Sequence, residues 1–235
     1  MTKLGIIGAM DIEIATLKEH MENLTVTEKA GTEFYEGSLK GLPVVLVRCG
    51  IGKVNAAIGA QILCDCFEVT YVVNTGIAGS LNARLDIGDM VVSREVMHHD
   101  FDCCHFGYPV CKIPGMPTAF LADEILMDYA AEAAQSVGVP QVLTGTVASG
   151  DQFVAEPALK QQIIDRTGAL CTEMEGAAIA QTAYRNGVPF VILRAISDKA
   201  DNSAEMDYPV FEAMAAKRCA QVVMILAEKL KGMNA

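Results

Sequence analysis

Apolar positions follow two alternating rhythms along this chain. Short unbroken runs, as at 4–7, 43–47 and 190–196, have the character of strands buried on both faces. Between them apolar residues recur every three or four positions, the spacing of an amphipathic helix. Residues 4–7 are predicted as a buried strand and 10–23 as a helix. Residues 32–39 and 43–47 flank Lys40-Gly41 and read as a hairpin. A helix over 53–67 is followed by a strand over 70–74 that ends at Gly76, then by a strand over 90–96. A helix over 123–137 is stopped by Gly138 and Pro140. A strand over 142–148, a helix over 175–185 and a strand over 190–196 come next. A long helix over 207–230 closes the chain, with Phe211, Met214, Val222, Ile225 and Leu226 on its inner side. Hairpins mixed with crossovers predict an α/β fold, a three-layer αβα sandwich around a mixed central sheet. In open sheets of this class ligands gather outside the carboxyl ends of strands.

Length and composition narrow the picture. The 235 residues fit one domain, 1–235, and suffice to bury a substantial core. Apolar residues make up 51% of the chain, yet no run approaches the ~20 residues that span a bilayer. The N-terminal apolar patch is broken by Asp11 and Glu13, so it reads as a first strand and not as a signal peptide. A net charge of −11 argues against nucleic acid and anionic membrane as partners. The eight cysteines lie in apolar stretches without a CxxC pair. Cys64, Cys66 and Cys219 read as core filler in a reduced, cytoplasmic protein.

Candidate chemistry sits at the strand ends. Glu13 follows the first strand, Glu173 and Glu175 open a helix, and Ser197-Asp198 ends the strand over 190–196. Acids in a first helical turn also suit the helix dipole, which suffices for Asp11. Carboxylates gathered at the ends of apolar strands suggest a reaction centre of acids and bases that needs no metal. Gly50-Ile51-Gly52-Lys53 fails the phosphate-loop pattern, because Val47 and Val54 stand where glycine and serine or threonine belong. It reads as a tight turn into a helix. The stretch 97–105 holds every common zinc-ligand type, but strand alternation would split its ligands between two faces and no second cluster accompanies it. No metal site is expected there.

Six words carry a resemblance: GIIGAMDIE (5–13), CGIGKVNAA (49–57), NTGIAGSL (74–81), ASGDQFV (148–154), CTEMEGAAIA (171–180) and RAISDKAD (194–201). Together they resemble the 5′-methylthioadenosine/S-adenosylhomocysteine nucleosidases, within the purine nucleoside phosphorylase-like superfamily. The resemblance covers the chain from Leu4 to the last helix. It implies that Glu13 activates water and that Asp198 protonates the leaving purine at N7, with Ser197 holding the Asp198 carboxyl. It implies that Glu175 binds the two ribose hydroxyls while Met174 packs on the ribose face. Ala78 and Gly79 would lie near purine and ribose, Phe153 would stack on adenine, and the Val154 backbone would bond its edge. Ala9, Met10, Ile51 and Tyr208 would complete the pocket. Phe106 and Pro114 would reach into it from the second subunit of a homodimer, through a loop near 98–118. Several members carry serine where this chain has Ile77, so Ile77 is assigned no catalytic role.

The implied reaction is hydrolysis of the N-glycosidic bond of methylthioadenosine, S-adenosylhomocysteine and 5′-deoxyadenosine, without a cofactor. A phosphorylase of the same superfamily would need cations for phosphate. The turns over 8–13 and 74–81 carry none, and Arg48 is the arginine expected near the pocket. An aminofutalosine nucleosidase would share the catalytic residues and differ around the 5′ group. A non-catalytic nucleoside-binding module would have no use for a base at Glu13.

Overall fold

Strand β1, Leu4–Gly8, is buried along its whole length and forms the hinge between two parts of one sheet. In the computed structural model, which describes residues 2–201 and 204–233 (with backbone alone for 204–210), the chain continues as α1 (Asp11–Glu19), β2 (Glu22–Lys29), β3 (Thr32–Leu39), β4 (Leu42–Arg48), α2 (Lys53–Phe67), β5 (Tyr71–Ser80) and β6 (Met90–His98). Next come a 3₁₀ turn at Cys104–Phe106, β7 (Phe120–Leu121), α3 (Glu124–Ser136), β8 (Val142–Ser149) and α4 (Pro157–Thr167). Strand β9 (Cys171–Glu173), α5 (Gly176–Asn186), β10 (Phe190–Asp198) and α6 (Ala204–Gly232) complete it.

Beyond β1 the sheet is open, running β1-β4-β3-β2. On its other side β1 pairs in parallel with β5, and from there the sheet closes. Strand β5 pairs with β10, β10 with β6, β6 with β8, β8 with β9, and β9 returns to β5. The mixed sheet between helices is as expected, and its central part is a barrel. Closure leaves those strands without a free edge.

Side-chain alternation sets the layers. On β1, Leu4 and Ile6 face the core under α1, α3 and α6, whereas Ile7 faces the core under α2 and α5. Strand β10 does the same, with Val191, Leu193 and Ala195 on one face and Ile192 and Ile196 on the other. Strands covered on both faces become continuous apolar runs, which is why they stand out in the sequence.

Several expectations need correction. The helix predicted over 10–23 stops at Glu19, and residues 22–29 form edge strand β2, exposed along nearly all its length. A polar strand with only one neighbour has little apolar signal to give. Strand β5 runs on through Gly76 to Ser80, six residues past the predicted end. The inner face of α6 carries Ala215, Cys219, Val222, Val223, Leu226 and Leu230, and Met214 is exposed. Cys219 is core, as expected, but Cys66 is exposed and Cys64 half-buried. All eight cysteines are free thiols. Among the described residues no helix is long and apolar enough to cross a membrane, and no group of His, Cys, Asp and Glu could hold a metal ion.

Candidate active site

One cavity of about 440 Å³ opens where β1, β5, β9 and β10 meet. Its wall carries Glu13, Glu173, Glu175 and Asp198 in a setting otherwise mostly apolar.

Glu13 is the third residue of α1, and its side chain turns back over the helix start. Its Oε2 accepts from the Ala9 N–H at 2.6 Å and the Met10 N–H at 3.0 Å. Its Oε1 accepts from the Ile77 N–H at 3.2 Å. The carboxylate thus closes the first turn of α1, as a capping-box acid does, and also faces the cavity. Burial pushes its pKa above the ordinary value, against the opposing pull of Arg194 and the three N–H groups.

Asp198 reaches the cavity through a break in register. Strand β10 pairs Ile196 with Ala78 and Asp198 with Gly79, so Ser197 is an extra residue on β10. Such a bulge re-aims side chains, and Ser197 and Asp198 both line the cavity although they are consecutive. The Ser197 hydroxyl donates to Asp198 Oδ2 at 2.9 Å, and the Ala200 N–H donates to Oδ1 at 2.8 Å. Ala200 adopts a left-handed φ of 51°, a conformation seldom used by residues other than glycine.

The 173–175 pair divides its work. Glu173 is almost fully buried and pairs with the Arg194 guanidinium and the Ser149 hydroxyl. It also accepts from the N–H of Glu175 at 3.1 Å and of Gly176 at 2.8 Å, capping α5. Burial alone would raise its pKa, but Arg194, Ser149 and the Gly176 N–H together hold it below the ordinary value. Glu175 accepts from the Gly52 N–H at Oε1, at 2.7 Å. Burial, reinforced by the neighbouring Glu173 charge, pushes its pKa up to about 8. Arg194 also donates to the Asn74 side-chain carbonyl, and the Asn74 amide in turn donates to the Ile7 carbonyl at 2.9 Å.

The cavity brings together Ala9, Met10, Glu13, Ile51, Ala78, Gly79, Phe153, Val154, Met174, Glu175, Ser197 and Asp198, all expected from the sequence. Phe106 and Pro114 are exposed and do not line this chain's own cavity. The Tyr208 side chain lies outside the described residues. Gln152, Thr172 and Ile77 also line the wall and were not assigned to it, and Glu173, a candidate acid without a specific role, lines it too. Arg48, the arginine expected nearby, instead pairs on the surface with Asp11 at 3.1 Å. The arginine behind the site is Arg194. It opens the RAISDKAD stretch, but only the fold reveals that it is committed to Glu173. The turn over 50–53 behaves as predicted, delivering Ile51 to the wall and the chain into α2.

This architecture and carboxylate site place the chain in the phosphorylase superfamily, whose sequence model matches residues 3–228. Within it the chain belongs to the 5′-methylthioadenosine/S-adenosylhomocysteine nucleosidase family. It is 44% identical over 231 residues to the nucleosidase of that name from Halalkalibacterium halodurans, covering 98% of this chain and all of the relative. It superposes with a TM-score of 0.95 on the Neisseria meningitidis nucleosidase in complex with methylthio-immucillin-A, at 38% identity over 97% of this chain and 100% of that one. The futalosine hydrolase of Helicobacter pylori is also similar, with a TM-score of 0.92 at 31% identity over 97% and 98% of the two chains.

Proposed function

We propose that the chain hydrolyses the N-glycosidic bond of methylthioadenosine and S-adenosylhomocysteine, releasing adenine with 5-methylthioribose or S-ribosylhomocysteine. One observation carries the choice of water over phosphate as nucleophile. Among the described residues lining the cavity there are four carboxylates and no lysine, arginine or histidine. The wall offers a phosphate no counter-charge, and Arg194 behind it is already paired with Glu173.

In this reading Asp198 donates a proton to N7 of the purine as the C1′–N9 bond lengthens. Positive charge develops on the ribose, and the acidic wall stabilises it. Glu175 accepts from the ribose hydroxyls, and Met174 packs on the ribose face. Glu13 removes a proton from the incoming water, and its raised pKa brings it nearer the range where a general base works well. Phe153 and Val154 hold the adenine, and Ala9, Met10, Ile51, Ala78 and Gly79 complete the pocket. The reaction needs no metal or cofactor. The likeness to a futalosine hydrolase supports one second reading, an aminofutalosine nucleosidase with the same acids and a different 5′ group.

The active unit in this reading is a homodimer whose partner supplies Phe106 and Pro114. Phe106 is 77% exposed, Leu121 72% and Val54 71%, apolar surface that a second subunit would remove from water. Nucleic acid is not a partner, in keeping with the net charge of −11, and the protein works in the cytoplasm. Adenine release from methylthioadenosine in phosphate-free buffer, repeated with phosphate, tests the reaction. Equal release in both, with free methylthioribose as product, is expected. Release only with phosphate, yielding a ribose 1-phosphate, would overturn it.

A further inference from the structure

Lys53 stands at an unfavourable place. It is the first residue of α2, where an ammonium opposes the helix dipole, and the first turn of α2 contains no acid to offset it. Its side chain is nevertheless only 19% exposed, with Nζ 2.6 Å from Asp100 Oδ1 and 3.9 Å from Asp151 Oδ2. The two aspartates are tied to the same point by backbone bonds. The Lys53 N–H donates to Asp151 Oδ1 at 2.8 Å, so an acid from a distant loop caps α2. The Asp151 N–H donates to Asp100 Oδ2 at 3.0 Å. These three hydrogen bonds form a closed triangle joining the turn before α2, the segment after β6 and the loop after β8.

Two of the three corners adjoin the cavity mouth. Gly52, next to Lys53, holds Glu175 through its N–H, and Ile51 lines the wall. Gln152, Phe153 and Val154, which follow Asp151, line the wall as well. Asp100 begins the segment that leads to Phe106. Ile51 and Phe153 are 54% and 52% exposed, so packing alone holds them weakly. We propose that Lys53 is a positioning residue, the centre of a latch with Asp100 and Asp151 that sets Ile51, Phe153 and the Gly52–Glu175 bond for nucleoside binding. The latch acts before the chemical step and away from Glu13 and Asp198. Its kinetic consequence rests on the nucleosidase reading above, while its mechanical consequence does not.

The test compares the full chain with Lys53→Met, Lys53→Arg, Asp100→Asn and the double variant Lys53→Met/Asp100→Asn. Loss of one charge-assisted hydrogen bond should raise KM for methylthioadenosine about tenfold, with kcat within about twofold of the parent. Lys53→Arg should recover most of the loss. The double variant should be no worse than the worse single one, because both break the same latch. Hydrogen exchange over 49–53 and 149–154 should quicken together in Lys53→Met and remain slow in Lys53→Arg. Unchanged KM with unchanged exchange, or additive effects in the double variant, would overturn the latch. A chain that fails to hydrolyse any nucleoside yet shows the paired exchange change would refute the nucleosidase reading and support the latch. Asp100→Asn carries the test if Lys53→Met does not fold.

Discussion

A Cβ added to Gly76 would lie 2.5 Å from Oε1 of Glu13, closer than real Cβ atoms approach any group. The glycine in the middle of β5 is therefore the space in which the proposed base sits. Gly76→Ala should push the Glu13 carboxylate off its three N–H donors and lower kcat by about a hundredfold, as small misplacements of reacting groups do. Glu13→Gln, which keeps the shape and removes the base, should be at least as slow. Steady-state adenine release checks both, and kcat within twofold of the parent for Gly76→Ala would separate this contact from catalysis.

Asp198→Asn keeps a similar shape and removes the transferable proton. Turnover should fall by roughly 10²- to 10⁴-fold, the usual contribution of a general acid. Calorimetric titration with methylthioadenosine should still detect binding. Normal turnover would reassign proton donation to another group.

Glu175 gives a pH signature in stability. Its folded pKa of about 8 lies above the ordinary carboxylate value, so its contribution is fully present below that ordinary value and is lost as pH rises through about 8. The parent should therefore lose Tm steadily between about pH 4.5 and 8 relative to Glu175→Gln, which has no proton to release, and run parallel to it at higher pH. Parallel Tm curves over that window would place the Glu175 pKa elsewhere.

Removing one partner of a buried ion pair strands the other. Arg194→Met should destabilise the fold by ~3–5 kcal/mol in urea titration, because Glu173 stays buried without its counter-charge. Adding Glu173→Leu should restore part of that loss. An Arg194→Met variant as stable as the parent would mean that the pair contributes little to the fold.

Much of this was legible from the chain itself. β1, β4 and β10 are buried on both faces and stood out as unbroken apolar runs, and α2 was placed at its two ends, Lys53 and Phe67. Edge strand β2 was lost because its exposed residues need no apolar pattern. The end of β5 was misplaced because Gly76 and Gly79 look like stops. Both remain in the strand to leave room, Gly76 for Glu13 and Gly79 for Asp198, whose Oδ1 would lie 2.7 Å from an added Cβ. The acids facing the cavity were readable from their positions after strands. The burial of Arg194 and the closure of the barrel were not, since both depend on pairings between residues far apart in sequence.

Glu13 does two jobs with one carboxylate, finishing the first turn of α1 and facing the reaction cavity. A lineage that no longer needed the reaction could not simply discard this side chain, because the start of α1 would fray with it. Selection for a folded protein alone would tend to retain the acid. The presence of glutamate at this position in a relative is thus a record of the fold first, and testifies to turnover only alongside an intact Asp198.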